Sequence, residues 1–342
     1  LMTRPRRLLA VLCAGPASSH RLKGAHGAPR PSGLYRMSRA PRLLALLCAG
    51  EALRLAPIPE RRRPNGPERR RCESLPKNWR EDGRDDIVGG AVVRAPDRYP
   101  FLAWLGDRDG TGLSQFCGGT LIAPRVVLTA AHCLYPKPAQ NARVYARFRL
   151  ADFKHEPGTA RNVVNWRRHP KFDEARLTHD IALLLLNESV PASVAKPVRL
   201  SNGSGHLEDG GPRTIIGWGT TDAECSHYDT LLREAEVRQG NGSSWKCHTP
   251  GGLALGEEDM DLRTELCAAS FEWPSEQHAG CADSGGPLLA WTDGQWTQVG
   301  VDSWSFRPPY PEVYTKVSAY QDWIQRASAE LEAERVHPVL KR

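Results

Sequence analysis

The chain has 342 residues, of which 40% are hydrophobic, 25% charged and 7% aromatic, with 31 Gly and 27 Pro. This composition is typical of a loop-rich globular protein and excludes a coiled coil, a collagen-like chain and wholesale disorder. The net charge of +7 is unevenly placed: residues 1–86 hold 19 Lys/Arg and 8 Asp/Glu, whereas residues 87–342 hold 27 Lys/Arg and 31 Asp/Glu. Because nucleic-acid binding needs a basic patch on a folded face, this split argues against a nucleic-acid partner.

Residues 1–56 contain one pattern twice, a basic stretch followed by a short apolar run and small residues. The two copies occupy residues 5–15 and 41–50. This order is typical of a secretory signal. Met37 precedes the second copy, and the printed chain begins with Leu1. We therefore expect translation to start at Met37, with residues 1–56 an upstream segment and signal peptide that is absent from a secreted, extracellular protein.

Residues 57–86 combine five prolines with many arginines, including the runs 61–63 and 69–71. Proline density and charge oppose a packed core, so this segment is predicted to be a basic linker or pro-segment. No apolar run in the chain approaches the ~18 residues that a membrane-spanning helix needs. The sequence therefore predicts no membrane span.

From Ile87 onward, short β-branched and aromatic runs alternate with Gly, Pro and Asn clusters, as in 125–129, 143–150, 181–186, 214–217 and 298–301. Many short strands separated by turn residues predict an all-β sandwich or barrel. Apolar residues at helical spacing predict one helix over 317–334, at the end of a domain that covers residues 87–342.

Three separated motifs carry the chemistry: LTAAHC at 128–133, HDIALL at 179–184 and CADSGGPL at 281–288. Each motif alone also has a purely structural explanation: a loop closed by a disulfide, a cap at the start of a strand, or a turn. Together they supply His132, Asp180 and Ser284 in that order. A serine hydroxyl becomes a strong nucleophile when a histidine takes its proton and a carboxylate orients that histidine.

These motifs resemble those of the chymotrypsin/trypsin family of serine endopeptidases over about residues 87–328. Further matches are IVGG at 87–90, FCGGTLI at 116–122, GWG at 217–219, SW at 303–304, YTKV at 314–317 and YQDWI at 320–324. The resemblance implies two six-stranded antiparallel β-barrels, with the active site between them, and a C-terminal α-helix. It also implies a protein or peptide substrate, an activating protease, protein inhibitors as further partners, and a monomer.

The resemblance assigns roles to individual residues. Ser284 is the expected nucleophile, His132 the general base and then acid, and Asp180 the group that orients His132. The backbone N–H groups of Ala282 and Ser284 are the expected oxyanion hole.

Substrate binding and activation are also implied by the resemblance. The substrate-binding residues are expected to be Ala279, Ser303, Trp304, Ser305 and Glu312, of which 303–305 would pair with an extended substrate. Asp283 would receive the new ammonium group of Ile87 after cleavage of the pro-segment.

Two departures from the family pattern concern activity. The nucleophile motif lacks one residue, and Ala282 stands where the family has Gly, which tolerates backbone angles that Ala resists. Asp86 precedes Ile87, where the family usually has Arg or Lys. Activation would then need cleavage after Asp, or cleavage after Arg84 and removal of the remaining dipeptide. These departures support an alternative function, that of a weak or inactive protease homologue that binds another protein.

The resemblance implies two disulfides, Cys117 with Cys133 and Cys247 with Cys267. Two cysteines of the domain, Cys225 and Cys281, then remain, and we expect them to pair. Six cysteines beyond residue 86 are an even number, as expected in an oxidising compartment.

The pocket that selects the substrate side chain also departs from the family. Counting from Cys281 places Ala279 or His278 at its base, where trypsin-like members have Asp. Glu312 is expected to enter from the facing wall, as in leukocyte granule proteases, unless it turns to solvent or pairs with Arg307. The sequence therefore predicts a preference for large aromatic or Leu side chains, with secondary acceptance of Lys or Arg.

Three sequons place glycosylation candidates at Asn187, Asn202 and Asn241. No histidine or cysteine spacing indicates a metal site, and the resemblance implies no cofactor.

Overall fold

The structure is a computed structural model that describes residues 87, 90–109, 112–134, 143–204, 207, 210–221, 230–240, 247–248, 254–255, 260–270, 277–305 and 311–334. All of them belong to the second of two compact units of the chain, 63–342. The expected signal peptide and pro-segment lie outside the described residues, so their boundaries remain predictions.

The described residues form sixteen strands, three short 3₁₀ turns and one α-helix. The strands are β1 (Ala91–Val92), β2 (Leu102–Asp109), β3 (Gly112–Ala123), β4 (Val126–Thr129), β5 (Arg143–Phe148), β6 (Thr159–Arg168), β7 (Ala182–Leu186), β8 (Arg199–Leu200), β9 (Pro212–Gly217), β10 (Arg233–Gln239), β11 (Cys247–His248), β12 (Ala254–Leu255), β13 (Glu265–Ser270), β14 (Pro287–Thr292), β15 (Gln295–Ser305) and β16 (Glu312–Lys316). The 3₁₀ turns are Pro96–Arg98, His132–Leu134 and Val317–Tyr320, and the helix α1 is Gln321–Ala333. Within the described residues, no helix is long and apolar enough to cross a membrane.

The strands close into two antiparallel six-stranded barrels, which confirms the predicted fold. The first barrel runs β2-β3-β4-β7-β6-β5 and closes by pairing β5 with β2. The second runs β10-β13-β16-β15-β14-β9 and closes by pairing β9 with β10. Strand β1 extends the second barrel at β10, and β8 pairs in parallel with β15. Closure leaves neither ring with an open edge of unpaired backbone groups.

Strand β7 is apolar along its whole length because both of its faces are buried. Leu184 and Leu186 point into the core of the first barrel. Leu183 and Leu185 point the other way, into a cluster that includes the apolar residues of α1. Successive side chains of a strand alternate between its faces, so a strand with two buried faces must be apolar throughout.

The helix α1 covers the outward face of β7. Ile324, Ala327 and Leu331 recur at helical spacing and are its buried residues. They lie in one core cluster with Leu183 and Leu185 of β7. The helix predicted over 317–334 is therefore confirmed, with its first four residues forming the 3₁₀ turn Val317–Tyr320.

The two barrels share one apolar cluster. Ile216, Trp218 and Leu289 belong to the second barrel and its loops, and they pack in the same cluster as Leu105 and Phe148 of the first barrel. Apolar burial of this kind contributes roughly 25 cal/mol per Å² of surface removed from water. It holds the two barrels together along the cleft where the sequence motifs meet.

Two residues of β14 test this shared core. Leu289 is fully buried in it, whereas Trp291, two residues later, has 59% of its surface exposed. We expect Leu289→Ala to lower the free energy of unfolding by about 2–5 kcal/mol. We expect Trp291→Ala to lower it by less than ~1 kcal/mol, although tryptophan is the larger side chain. Denaturant titration measures both, and an equal or larger loss for Trp291→Ala would contradict this packing.

Candidate active site

His132 stands where β4 ends and a 3₁₀ turn begins, and it is almost fully buried. Its Nδ1 lies 2.6 Å from Oδ2 of Asp180, and its backbone N–H donates to Oδ1 of the same carboxylate over 2.8 Å. One carboxylate therefore fixes both the ring and the backbone of His132. A carboxylate at Nδ1 favours the tautomer with the proton on that atom, which makes Nε2 the ring nitrogen that can accept a proton.

Asp180 directly precedes the buried apolar segment of β7 and is itself completely buried. The hydroxyl of Ser303 on β15 donates to its Oδ2 over 2.6 Å. The hydroxyl of Thr315 on β16 donates to its backbone carbonyl over 2.7 Å. Both donors belong to the second barrel, whereas Asp180 belongs to the first. The carboxylate is therefore held in place from both sides of the cleft.

Ser284 lies in the turn that leads into β14 and is 3% exposed. Its carbonyl oxygen accepts the N–H of Gly118 on β3 over 2.8 Å. The sulfur of Cys133 lies 3.6 Å from that carbonyl oxygen and 4.0 Å from Nε2 of His132. Ser284 and His132, the expected nucleophile and base, therefore both lie next to the sulfur of Cys133.

Gly285, which follows Ser284, makes this close approach possible. Its φ of +79° is open to glycine, and a Cβ there would stand 2.2 Å from Oγ1 of Thr129. A side chain at this position would push the turn of Ser284 away from the strand that ends at His132.

The disulfide between Cys117 and Cys133 is present, as predicted, and joins β3 to the turn of His132. The two sulfurs and His132 are the one group of three potential metal ligands among the described residues. Sulfurs joined in a disulfide are not thiolates, so this cluster does not suit a metal ion.

The other cysteines are described in part. Cys267 and Cys281 are disulfide-bonded. Cys225 and the side chain of Cys247 lie outside the described part of the chain. The pairs Cys247 with Cys267 and Cys225 with Cys281 therefore stay predictions.

Ala282 adopts a backbone conformation that favours glycine, the residue that the family pattern has at this position. Its φ is +75°, and it is completely buried. Positive φ costs a residue with a Cβ roughly 1–2 kcal/mol, because the Cβ crowds the following carbonyl oxygen. Ala282 therefore holds this loop conformation at a cost in backbone strain.

A buried side chain from the first barrel supports this strained loop. Nε2 of Gln115 donates to the carbonyl oxygen of Ala282 over 3.1 Å. Oε1 of Gln115 in turn accepts the indole N–H of Trp104 over 3.0 Å. Sequence analysis did not single out Gln115, because a glutamine in a strand carries no motif. The structure assigns it the positioning of the peptide between Ala282 and Asp283.

Asp283 is a buried carboxyl group without a positive neighbour among the described residues. Its oxygens accept the N–H groups of Gly219 and Gly280, each over 2.8 Å. Burial raises the pKa of Asp283 to about 7, although these hydrogen bonds act in the opposite direction. Ile87, its expected partner, is fully buried in the core of the second barrel.

The expected pocket residues gather where β15 and β16 pair. Trp304 is buried and donates its indole N–H to Glu265 over 3.4 Å, and Ser305 pairs in register with Glu312. Glu312 is also buried, and its Oε2 accepts the hydroxyl of Tyr314 over 2.7 Å. Burial raises the pKa of Glu312 to about 8.

The residues expected at the base of the pocket contact the same carboxyl group. Ala279 is half-buried against the second core, and its backbone hydrogen-bonds to Glu312. Nδ1 of His278 binds the carbonyl oxygen of Ala279 over 2.8 Å and stands 3.9 Å from Oε1 of Glu312. Arg307, the alternative partner of Glu312, lies outside the described residues.

Asp302 is a buried acidic residue, next to the expected pocket residue Ser303, that sequence analysis did not single out. It precedes Ser303 in a stretch of β15 that is otherwise buried and mostly apolar, and it is itself 9% exposed. The signal in the sequence was an acidic residue directly after the short run 299–301, which has no polar side chain. Sequence analysis passed over Asp302 because the SW motif that resembles the family begins one residue later, at Ser303.

The three sequons differ in accessibility. Asn202 is exposed, and its Oδ1 accepts the hydroxyl of Ser204 over 2.6 Å. Asn187 is half-buried, and its Oδ1 accepts the N–H of Asn162 over 2.9 Å. Asn241 lies outside the described residues. Attachment of glycans at these positions stays a prediction.

Comparison with known proteins places the chain in a family. The family model Trypsin matches residues 87–324. Trypsin 5G1 of Aedes aegypti is 34% identical over 254 residues, in a match that covers 73% of this chain and 86% of that protein. Tryptase of Mus musculus is 33% identical over 251 residues, which cover 70% and 88% of the two chains. Coagulation factor XII of Rattus norvegicus is 32% identical over 258 residues, 71% of this chain but 40% of its own length.

The chain therefore belongs to the trypsin family of serine proteases, as the motifs indicated. Membership of this family supports a proteolytic role.

The strain at Ala282 gives a testable prediction. We expect Ala282→Gly to raise the free energy of unfolding by up to about 1 kcal/mol, because glycine adopts positive φ freely. The control is Ala182→Gly, at an equally buried alanine in β7. There glycine should lower the free energy of unfolding by about 1 kcal/mol. Thermal and denaturant unfolding measure both, and a loss of equal size in the two variants would rule out strain at Ala282.

Proposed function

We propose that the protein is a secreted serine endopeptidase that hydrolyses peptide bonds with Ser284, His132 and Asp180. The observation that carries this proposal is the buried contact between His132 and Asp180, beside the turn that presents Ser284. A histidine oriented by a carboxylate next to a serine is the arrangement that activates a serine hydroxyl.

In the proposed reaction, Oγ of Ser284 attacks the carbonyl carbon of the substrate while Nε2 of His132 accepts its proton. His132 then gives this proton to the leaving amine, and the peptide bond breaks to leave an acyl-enzyme. Water, deprotonated by His132, releases the acid and restores Ser284. The N–H groups of Ala282 and Ser284 stabilise the oxyanion, and each such donor is typically worth a few kcal/mol in the transition state.

We further propose that the chain is made as a zymogen, which a second protease cleaves before Ile87. The buried carboxyl of Asp283 supports this proposal, since its raised pKa reflects a charge that lacks compensation. The pKa of this carboxyl is about 3.9 in an unfolded chain and about 7 in the folded protein. Its burial therefore lowers the free energy of unfolding as the pH rises through this range. A new ammonium group at Ile87 would supply the missing positive charge and fix the Ala282 loop.

The remaining parts of the proposal rest on the sequence. Secretion is supported by the signal pattern at 37–56 and by the even number of cysteines beyond residue 86. Protein and peptide substrates, an activating protease and protein inhibitors are the partners that the family suggests, and we propose a monomer. Asn202 is the sequon best placed to accept a glycan, because its side chain is exposed.

Replacement of the catalytic residues tests the chemistry. With the protein cleaved before Ile87, we expect Ser284→Ala and His132→Ala each to lower kcat for peptide hydrolysis by a factor on the order of 10⁶. Ser284→Ala should also abolish labelling by a fluorophosphonate. His155→Ala is the matched control, because His155 is exposed and bound to Asp152 away from the site. Undiminished hydrolysis by Ser284→Ala would show that another residue is the nucleophile.

The residue before Ile87 tests the activation step. Asp86→Arg should make the chain activatable by trypsin, with Ile87 as the new N-terminus. The double variant Asp86→Arg/Asp283→Asn should be cleaved at the same bond but gain little activity, because the ammonium of Ile87 then lacks its carboxylate. N-terminal sequencing and peptide hydrolysis measure the two steps separately. Full activity of the uncleaved chain would contradict the zymogen proposal.

A further inference from the structure

A groove with a volume of about 760 Å³ lies beside the hairpin that joins β14 to β15. Ser284 precedes the start of β14 at Pro287, whereas the groove contacts the other end of this strand, at Trp291. The strand alone spans roughly 13 Å between Pro287 and Trp291. None of the described residues that line the groove belongs to the triad, the oxyanion hole or the expected pocket. The groove is therefore separate from the candidate active site.

The hairpin holds Trp291 in a fixed position. Asp293 and Gly294 form its turn, with φ values of +51° and +74°, and a type I′ turn needs positive φ at both residues. Trp291 lies directly opposite Trp296 in the register of β14 and β15, so both rings point to the same side. Their ring centroids are 4.8 Å apart, and Trp296 packs in turn against Tyr99 at 5.2 Å. Trp291 therefore rests on a rigid aromatic base.

Trp291 is the one large hydrophobic side chain that is exposed among the described residues, with 59% of its surface in water. A single exposed hydrophobic residue is common and needs no function by itself. Trp291 differs because it stands at a groove that Phe101 and Trp296 also line, and these two rings pack in or against the core of the first barrel. An apolar surface therefore continues from the core to a ring in solvent.

Three cations line the same groove, Arg98, Lys196 and Arg199, and all three are exposed. Arg98 pairs with Glu234 at 2.7 Å, and Arg199 pairs with Asp293 at 3.2 Å. Lys196 makes no hydrogen bond or ion pair with any residue that the structure describes. Exposed ion pairs are weak, and a guanidinium has five N–H donors, so both arginines can also bind a second anion. The groove thus carries one uncompensated positive charge and two further groups that bind anions.

The backbone keeps these cations next to the aromatic rings. Arg199 belongs to β8, where it pairs in parallel with Thr297 of β15. Arg98 ends the first 3₁₀ turn and directly precedes Tyr99, and its guanidinium lies 5.5 Å from the centroid of the tyrosine ring. Positive charge and apolar surface are therefore presented together by one scaffold.

A ligand that fits this groove must offer an apolar contact to Trp291 and a negative charge to Lys196. The surface of an anionic phospholipid bilayer offers both, because its charged headgroups stand directly above the apolar chains. Tryptophan is enriched at this interface, since its ring is apolar and its N–H is polar. Lysine and arginine are attracted to the anionic headgroups. A small anion such as phosphate would satisfy Lys196 but would leave Trp291 in water.

We propose that the groove and Trp291 form a membrane-surface site, which attaches the protein to anionic phospholipid with the three cations and the indole ring at the level of the headgroups. Residues 87–342 hold 27 Lys/Arg and 31 Asp/Glu, so the domain as a whole is repelled by such a surface and this face alone is attracted. Because β14 leads from this face to the turn of Ser284, attachment leaves the active site away from the lipid. This inference does not depend on the proposed protease function.

The test is sedimentation with large phosphatidylcholine vesicles, prepared with or without phosphatidylserine. The protein is the Asp86→Arg variant, cleaved by trypsin before Ile87 and separated from its pro-segment, because the arginine runs 61–63 and 69–71 would themselves bind anionic lipid. We expect phosphatidylserine to strengthen binding by a factor of roughly 10 or more, since each cation near the surface contributes. Added salt should weaken this binding, because it screens exposed charges.

Variants distinguish the groove from a general charge effect. Lys196→Gln should weaken binding to the phosphatidylserine vesicles roughly 5-fold, and Trp291→Ala roughly 10-fold. Trp291→Tyr should retain most of the binding, because tyrosine is also enriched at the membrane interface. Lys171→Gln is the matched control, since Lys171 is exposed and does not line the groove. It should bind as the wild type does, and thermal unfolding shows that each variant is folded.

Equal binding to both kinds of vesicle, or equal binding of wild type, Trp291→Ala and Lys196→Gln, overturns the proposal. Absence of vesicle binding also overturns it, even if the groove takes a soluble ligand such as a sulfated polysaccharide or the released pro-segment. Hydrolysis of a soluble peptide, measured in the same samples, should be unchanged in all groove variants. A wild type that binds the vesicles but hydrolyses nothing overturns the protease function and leaves the membrane site intact, because sedimentation requires no catalysis.

Discussion

The desolvation of acidic side chains is the constraint on which the arrangement around Ser284 depends. Asp180, Asp283, Asp302 and Glu312 are each at least nine-tenths buried. Buried carboxyl groups are tolerated when hydrogen bonds or opposite charges compensate for the lost water. The Asp180 carboxylate has this compensation within the fold, through the ring and the backbone N–H of His132 and the hydroxyl of Ser303. The pKa values of the other three are raised because their burial is compensated incompletely.

The fold explains why these groups meet. The first barrel carries His132 and Asp180 at the ends of apolar segments whose position is fixed by burial on both faces. The second barrel carries Ser284 and two further buried acids, Asp302 on β15 and Glu312 on β16. Hydrogen bonds from Ser303 to Asp180, and from Gln115 to the Ala282 loop, cross between them. The chemistry therefore depends on the two barrels keeping one relative position.

Much of this arrangement was predictable from the sequence, because its three motifs together match a family whose fold brings them to one site. Short strand-like runs predicted an all-β sandwich or barrel, and the family resemblance implied the two barrels and the disulfide between Cys117 and Cys133. Asp302 and Gln115 were not predictable, since their importance comes from strand register and from contacts between residues distant in the chain. The conformation at Ala282 was also open, because a sequence does not state whether a loop keeps a strained φ or changes shape.

The most direct measurement of this account is the pH dependence of the free energy of unfolding, compared between the uncleaved protein and its Asp283→Asn variant. Denaturant titration over a pH range on either side of neutrality gives this dependence for both proteins. The account predicts that the uncleaved protein loses stability as the pH rises toward about 7, because the folded state must then ionise a buried carboxyl, and that Asp283→Asn loses less. The same pH dependence in both proteins would contradict the claim that the burial of Asp283 is compensated incompletely.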